Sequence, residues 1–154
     1  LMGGTLAQTS KSPGKTRAIH FYLWPAAGKV VADLPGYGYA RASKQDQAAW
    51  AKFIGAYLKE DPALERILLI LDSRHGPTDI DEEALAFLNS LGVPVDVIFS
   101  KVDQLKNQSE RAKRAKEGPA KLMSLGAHPE KIHWVSSRTR DGVLALIKYL
   151  KGTN

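Results

Sequence analysis

Between residues 16 and 24 apolar side chains recur at every second position, with Ile19, Phe21 and Leu23 set against His20 and Tyr22. That alternation reads as a strand. Pro25-Ala26-Ala27-Gly28 reads as a turn, and residues 29–34 read as a second strand paired with the first as a hairpin. Asp33-Leu34-Pro35-Gly36-Tyr37-Gly38-Tyr39 holds too much Gly and Pro to prolong it. The period then lengthens. Over residues 43–59, Ala49, Trp50, Phe53, Ile54, Tyr57 and Leu58 fall at i, i+3, i+4 spacing, behind a Ser43 cap and an Asp46 three residues on. These positions predict a helix with one apolar face.

Residues 67–71 are an unbroken apolar run, which fits a central parallel strand covered on both faces. Thr78 is placed to cap a helix whose first turn carries Asp79, Asp81, Glu82 and Glu83, acids favoured at the positive end of the helix dipole. That helix is expected to end near Gly92, ahead of Pro94. Residues 95–99 make another buried-type strand, interrupted by Asp96. Residues 106–121 form a basic helical stretch expected to break at Gly118-Pro119. A short strand over 131–135 and a helix over 142–150, with Val143, Leu146, Ile147 and Leu150 inward, close the pattern.

Strands and helices alternate from Lys29 onward, so the fold class is α/β with a mostly parallel sheet and helices on both faces. The 154 residues suit one domain, 1–154. Apolar residues at 44% and charged residues at 25% are globular proportions and exclude a fibrous or disordered chain. Cysteine is absent, which removes disulfides, thiolate metal sites and a thiol nucleophile. No apolar run reaches the roughly 18 residues of a membrane span, and no charged-then-apolar secretory leader is visible. The net charge of +6 favours acidic partners. No GxGxxG, GxSxG or HExxH pattern occurs.

In parallel α/β sheets the ligand crevice lies at the carboxyl ends of the strands, and four polar stretches fall there. Ser100-Lys101-Val102-Asp103 follows the strand at 95–99. A carboxylate at that point can accept hydrogen bonds from the ring N–H and the exocyclic amino group of guanine. Adenine lacks that ring N–H. The lysine stem can lie flat on a purine. The same four residues also serve as an ordinary polar loop and helix cap. Asp33-Leu34-Pro35-Gly36 offers a carboxylate able to hold Mg²⁺ through water, and a glycine whose N–H can approach a phosphate. Its alternative is a plain Pro-Gly turn. Thr16 can ligate Mg²⁺ by its hydroxyl, or simply open a strand. Val135-Ser136-Ser137 closes the last strand with N–H groups able to meet a base carbonyl, or is simply a strand-to-helix turn.

A loop Thr, then DxxG, then SKxD, then a Ser-Ser loop resembles a GTP-binding domain of the translation-factor class. Three stretches narrow the likeness: residues 10–16 (SKSPGKT), 33–40 (DLPGYGYA) and 72–78 (DSRHGPT). With them the whole chain resembles the EngB/YsxC family of ribosome-biogenesis GTPases, among the TrmE-Era-EngA-EngB-septin-like GTPases.

That resemblance implies a P-loop GTPase-type sheet. Thr16 would be the switch threonine that meets Mg²⁺ and the γ-phosphate, flanked by Gly14, Lys15 and Arg17. Asp33, Leu34, Pro35 and Gly36 would form the second phosphate-sensing switch, with Asp33 on Mg²⁺ through water. Ser100, Lys101, Val102 and Asp103 would read guanine, while Val135, Ser136 and Ser137 would help to hold its carbonyl. The implied ligands are GTP or GDP with Mg²⁺, and the implied partner is the large ribosomal subunit with its rRNA. The implied role is subunit assembly, needed for normal cell division and septation, by a monomer without membrane contact. The implied place is the cytoplasm or, alternatively, the mitochondrial or plastid matrix.

Three departures from the family pattern stand out. Arg17 replaces the usual Gln, with little expected consequence, and Ser100 replaces Thr or Asn with a hydroxyl that can still bond locally. The phosphate-cradling GxxxxGK[ST] does not occur. The opening Leu1-Met2-Gly3-Gly4-Thr5-Leu6 reads as the tail of a helix running into a Gly cap, so the expectation is a chain shortened at its N-terminus, without the first strand and phosphate loop. Such a chain is expected to bind GTP weakly or not at all and to be poorly stable. The alternative function is an RNA- or protein-binding module that has lost its nucleotide.

Many GTPases place a water-orienting Gln directly after DxxG; Tyr37 stands there and cannot act the same way, so slow intrinsic hydrolysis is expected. Tyr37 and Tyr39 can equally be packing residues. Lys106, Arg111, Lys113, Arg114, Lys116 and Lys121 face only Glu110 and Glu117, a surface fit for RNA phosphates or simply a solvated helix face. His20, His75, His128 and His133 lack metal-ligand spacing, and His75 is assigned to structure or switch coupling. Asp72 and Arg74 are placed to form a local ion pair.

Overall fold

The computed structural model describes residues 19–37 and 44–152, of which 44–47 by their backbone alone. The chain divides into two compact units, one up to Ile54 and one from Gly55.

In the first unit, β1 (His20–Trp24) and β2 (Lys29–Asp33) pair antiparallel, with Phe21 opposite Ala32 and Leu23 opposite Val30. The expected hairpin is present. Its turn is a short 3-10 element over Pro25–Ala27, closed by Gly28 at φ 63°, a left-handed conformation that favours glycine. The first half of α1 (Lys44–Glu60) follows. The proposed Ser43 cap, Gly14, Lys15, Thr16, Arg17 and Tyr39 lie outside the described residues.

In the second unit, β3 (Ile67–Asp72), β4 (Val95–Ser100) and β5 (Ile132–Trp134) form a parallel sheet in the order β3-β4-β5. The register pairs Leu71 with Phe99 and Phe99 with Trp134. Parity along a strand sorts side chains to two faces. On one face lie Leu69, Leu71, Val97 and Phe99, all at most 3% exposed, and Phe99 stacks on Trp134 at 4.2 Å. Helix α3 (Gln108–Met123) meets this face, because a Cβ on Gly118 would stand 3.0 Å from the Phe99 ring. Asp96 points to the other face and accepts a hydrogen bond from Tyr149 of α4 (Val143–Gly152) at 3.0 Å. Helices α3 and α4 thus meet the two faces, but β3, expected to be a central strand covered on both faces, stands at the end of the described sheet with Ile70 58% exposed.

Helix α2 (Asp79–Asn89) starts at Thr78 in a reciprocal cap. The Thr78 N–H donates to Asp81 at 2.8 Å, and the Asp81 N–H donates to the Thr78 hydroxyl at 3.4 Å. Its Phe87 ring lies 3.2 Å from where a Cβ on Gly55 of α1 would stand.

A second expectation fails. Helix α3 runs unbroken through Gly118-Pro119 rather than ending there. Proline in a helix interior costs about 3 kcal/mol. Buried packing on both sides offsets this, because Gly118 seats against Phe99 and Leu122 is fully buried.

Asp96, which interrupts an apolar strand, is fully buried and ion-paired with Arg66. Tyr149 accepts from Arg66 at 2.8 Å, and the His133 ring lies 4.6 Å from the Tyr149 ring. Burial raises the Tyr149 pKa, and the Asp96 carboxylate raises it further. A buried charge is tolerated only with this kind of compensation.

Candidate functional site

The ends of β3, β4 and β5 deliver three loops to one edge of the sheet, and hydrogen bonds tie the loops together. The Ser100 hydroxyl donates to Leu71 O at 2.8 Å, so the serine standing where the family has Thr or Asn makes its local bond. Ser73 N–H donates to Ser100 O at 3.0 Å. Val135 N–H donates to Phe99 O at 2.8 Å, and Val102 N–H donates to Val135 O at 3.3 Å.

Asp103 sits in a 3-10 turn, Val102–Gln104, directly after β4. Its Oδ1 accepts the Ser136 hydroxyl hydrogen at 2.6 Å. Its Oδ2 is buried and has no hydrogen-bond partner, with the Arg138 guanidinium 3.7 Å away. A buried carboxylate oxygen without a donor is costly, and a ligand N–H would satisfy it.

Lys101 opens that turn at φ 61°, ψ 34°, a left-handed conformation that costs a non-glycine residue about 1 kcal/mol. The Gln104 N–H donates to Lys101 O at 3.0 Å and closes the turn. The Lys101 ammonium donates to Asp72 Oδ2 at 2.8 Å. Asp72 also receives the Arg74 side chain, by Nε at 2.9 Å and by an ion pair at 2.5 Å, which is the local pair read from the sequence. The Arg74 side chain, then the Lys101 ammonium and the Arg74 N–H, hold the Asp72 carboxyl well below the usual carboxylate range, against the opposing effect of burial.

The β5 loop is shaped by its own bonds. Ser136 N–H donates to Asp141 O at 3.0 Å, and Thr139 N–H donates to the Ser136 hydroxyl oxygen at 3.1 Å. Ser136 is fully buried, with N–H and hydroxyl both engaged, so it bears on a ligand through Asp103 rather than through its own donors. Ser137, next in the chain, is exposed. Gly142 at φ 67° closes the loop, and a Cβ there would lie 1.9 Å from Trp134 O.

The basic stretch divides in two. Arg114 donates to the carbonyls of Arg74 and His75 at 2.8 and 3.1 Å, and Arg111 donates to Val102 O at 3.1 Å. Lys121 pairs with Glu82. These three brace neighbouring loops and helices. Lys106, Lys113 and Lys116 remain exposed on α3 and just before it. The assignment of His75 to structure fits, since its carbonyl is one of the points Arg114 grips.

In the first unit, Asp33 ends β2 opposite His20 with its side chain exposed. Mg²⁺ keeps several waters and takes few protein ligands, so one carboxylate suits a water-bridged ion. Among the described residues, no cluster of three His, Cys, Asp or Glu could form an all-protein metal cage. Pro35 O accepts the Trp50 indole N–H at 2.7 Å, and the Tyr37 ring packs edge-on to Trp50 at 6.2 Å. The space beside Gly36 is open. Sequence reasoning missed Arg114 and the Lys101–Asp72 contact. The register of β3 against β4, which sets Asp72 beside Ser100, is the signal that brings them together.

The family described as 50S ribosome-binding GTPase matches residues 1–101. A probable GTP-binding protein EngB of Oleidesulfovibrio alaskensis is 48% identical over 112 residues, covering 73% of this chain and 51% of that protein. One of Thermotoga petrophila is 36% identical over 147 residues, covering 96% of this chain and 73% of that protein. The chain thus spans about half to three quarters of the length of these relatives. Among solved structures, a probable GTP-binding protein engB superposes with a TM-score of 0.64 at 21% identity, covering 90% of this chain and 85% of that one. Era in complex with MgGDPNP and a 16S ribosomal RNA segment superposes with a TM-score of 0.66 at 24% identity, covering 93% and 46%. These likenesses establish a P-loop GTPase-type α/β fold.

Proposed function

The chain belongs to the EngB family of GTP-binding proteins, and from that premise we propose that it binds guanine nucleotides at the carboxyl edge of the β3-β4-β5 sheet. The observation that carries this reading is Asp103. One of its oxygens is fixed by Ser136 and the other is buried without a donor. Guanine brings two adjacent N–H donors, one to satisfy Oδ2 and one to share Oδ1 with the Ser136 hydroxyl. Val102 and Ser100 hold the loop, Lys101 lies against the purine face, and Ser136 with Val135 and Ser137 shapes the wall beside the base.

The phosphate side of the reading rests on family likeness and side-chain chemistry. Gly14, Lys15, Thr16 and Arg17 would line the phosphates, and Leu34, Pro35 and Gly36 would form a second switch. Thr16, and Asp33 through water, would hold Mg²⁺, which supplies charge neutralisation to the β- and γ-phosphates when bound. Catalysis in this class is positioning plus charge stabilisation. Tyr37 packs against Trp50 and offers no amide to orient water, which supports slow intrinsic GTP hydrolysis.

The whole protein's role in this reading is assembly of the large ribosomal subunit, with consequences for cell division. It would act as a monomer in the cytoplasm, or in an organelle matrix. The family description and the exposed Lys106, Lys113 and Lys116 support a ribosomal RNA partner. No helix among the described residues is long and apolar enough to cross a membrane.

The test is a ratio, which survives a low absolute affinity. GDP and ADP are titrated separately, with amide shifts of Lys101 and Asp103 followed by NMR. A preference for GDP of at least about tenfold is expected from the two hydrogen bonds to Asp103. Asp103→Asn should turn the preference toward xanthosine diphosphate, whose O2 accepts where guanine donates. Equal binding of GDP and ADP would overturn the reading.

A further inference from the structure

We infer that Asp72 is a positioning residue for guanine-nucleotide binding, acting through Lys101 and not by touching the nucleotide. The inference rests on the guanine-site reading above and deepens it.

Lys101 has to present its stem to a flat purine while its ammonium goes elsewhere. Its side chain is 48% exposed, so packing does not fix it. A free lysine head on a four-carbon stem has many rotamers, and ordering them on binding costs affinity. Here the two ends of the side chain are held separately. The backbone end is set by the left-handed turn, which the Gln104 N–H closes. The ammonium end is set by Asp72 Oδ2 at 2.8 Å. With both ends held, the stem between them has fewer rotamers left to lose on binding.

Asp72 is itself held from two directions. It ends β3 in register with Ser100, so its backbone is fixed by strand pairing. Its Oδ1 is engaged by the Arg74 N–H at 3.1 Å and by Arg74 Nε at 2.9 Å. Arg74 and His75 are gripped by Arg114 of α3 through their carbonyls. Position thus passes from a rigid helix to a loop, from the loop to a carboxylate, and from the carboxylate to the lysine that meets the base. The depressed Asp72 pKa agrees, since the carboxylate stays charged at any pH where nucleotide would bind.

The same contacts would also suit a residue that only closes its own loop through Arg74. The two roles separate in binding data. Lys101 meets any purine by its face, whereas Asp103 reads the guanine amino group. Removal of the Lys101 tether should therefore weaken all purine diphosphates together and leave discrimination between GDP and inosine diphosphate unchanged. Collapse of the loop would disturb both.

The experiment is a double-substitution cycle on the full chain, read by NMR titration with GDP, inosine diphosphate and ADP. Asp72→Asn is expected to weaken GDP binding about fivefold, the effect of removing one charge-assisted hydrogen bond. The GDP-to-inosine diphosphate ratio should hold, and the effect should fall below about twofold in a Lys101→Met background, since coupled residues are non-additive. Arg74→Gln, which removes the guanidinium from Asp72 but leaves it the Arg74 N–H and the Lys101 ammonium, should weaken GDP binding clearly less than Asp72→Asn does, by about twofold. The inference is overturned if Asp72→Asn weakens GDP equally in both backgrounds, has no effect, or is reproduced by Arg74→Gln. Failure of the underlying reading looks different: the unsubstituted chain then shows no preference for GDP over ADP.

Discussion

Ser136 gives its hydroxyl hydrogen to Asp103 Oδ1 at 2.6 Å and leaves Oδ2 buried without a donor. The bond fixes the orientation of the carboxylate and leaves Oδ2 as the oxygen still without a donor. Ser136→Ala removes this restraint without removing the charge. We expect guanine selectivity over inosine to fall several-fold, about 1 kcal/mol for one hydrogen bond, and the Tm to fall with it, because Asp103 Oδ1 loses a donor and the Thr139 N–H its acceptor. Paired titrations with GDP and inosine diphosphate check it. An unchanged ratio would show that Asp103 is aligned by other means.

Gly142→Ala should be the most damaging single methyl in this loop. The position has φ 67°, and the added carbon would meet Trp134 O at 1.9 Å. Neither the dihedral nor the β5 backbone can yield cheaply, so a destabilisation of about 2–4 kcal/mol is expected, with guanine-nucleotide binding abolished beside it. Chemical denaturation of the variant measures the first and a GDP titration the second.

Gly118→Ala sets two effects against each other. Alanine in a helix gains about 1 kcal/mol over glycine. The new Cβ would stand 3.0 Å from Phe99, which is already stacked on Trp134 and cannot retreat freely. Overpacking costs about 1–3 kcal/mol, so a net destabilisation of about 1 kcal/mol, or a few degrees in Tm, is expected. A rise in Tm would show that the Phe99 ring gives way.

Stability should fall at the alkaline end. Tyr149 has its folded pKa raised above the ordinary 10.0, by burial first and by Asp96 next. The folded state therefore holds the phenol proton more tightly. Its contribution is complete below about pH 10 and fades as pH climbs through the folded value. Tyr57, raised by burial and Asp61, acts in the same sense. Tyr149→Phe should make the decline above about pH 10 shallower, as read from denaturation midpoints. Asp96→Asn should cost about 3 kcal/mol at neutral pH by leaving Arg66 uncompensated.

Lys113→Gln with Lys116→Gln should weaken binding to ribosomal RNA fragments and reduce the salt slope by roughly 1.5, at about 0.7–0.9 for each phosphate no longer neutralised. The Tm should be unchanged, because neither side chain braces a loop. Arg114→Gln should do the reverse, lowering Tm with little change of slope. Titrations at several salt concentrations separate the two.

Most of the fold was legible because it is written in local periods. The apolar runs at 67–71 and 95–99, the Thr78 cap and the 29–34 hairpin strand all appear close to where the pattern put them. The exception at Pro119 came from long-range packing on Phe99, which no local rule contains. The candidate site was half legible. Lys101 and Asp103 announce themselves by spacing after a buried strand. Asp72 and Arg114 do not, because their meaning depends on strand order and on which turn of α3 faces the loop. The basic stretch misled in part for the same reason: charge counting cannot tell Arg114, which points at carbonyls, from Lys113, which points at water.

The pairing of Asp72 with Ser100 across β3 and β4 has a consequence for how this protein would fail. Side chains change face with every residue along a strand, so a one-step slip would carry the carboxylate to the wrong side and set Leu68 and Ile70 on the face that Leu69 and Leu71 now fill. The sheet would still look folded to circular dichroism, yet the lysine would be without its anchor. Nucleotide recognition is thus a vernier on strand alignment, sensitive to errors of a few ångströms that bulk spectroscopy passes over.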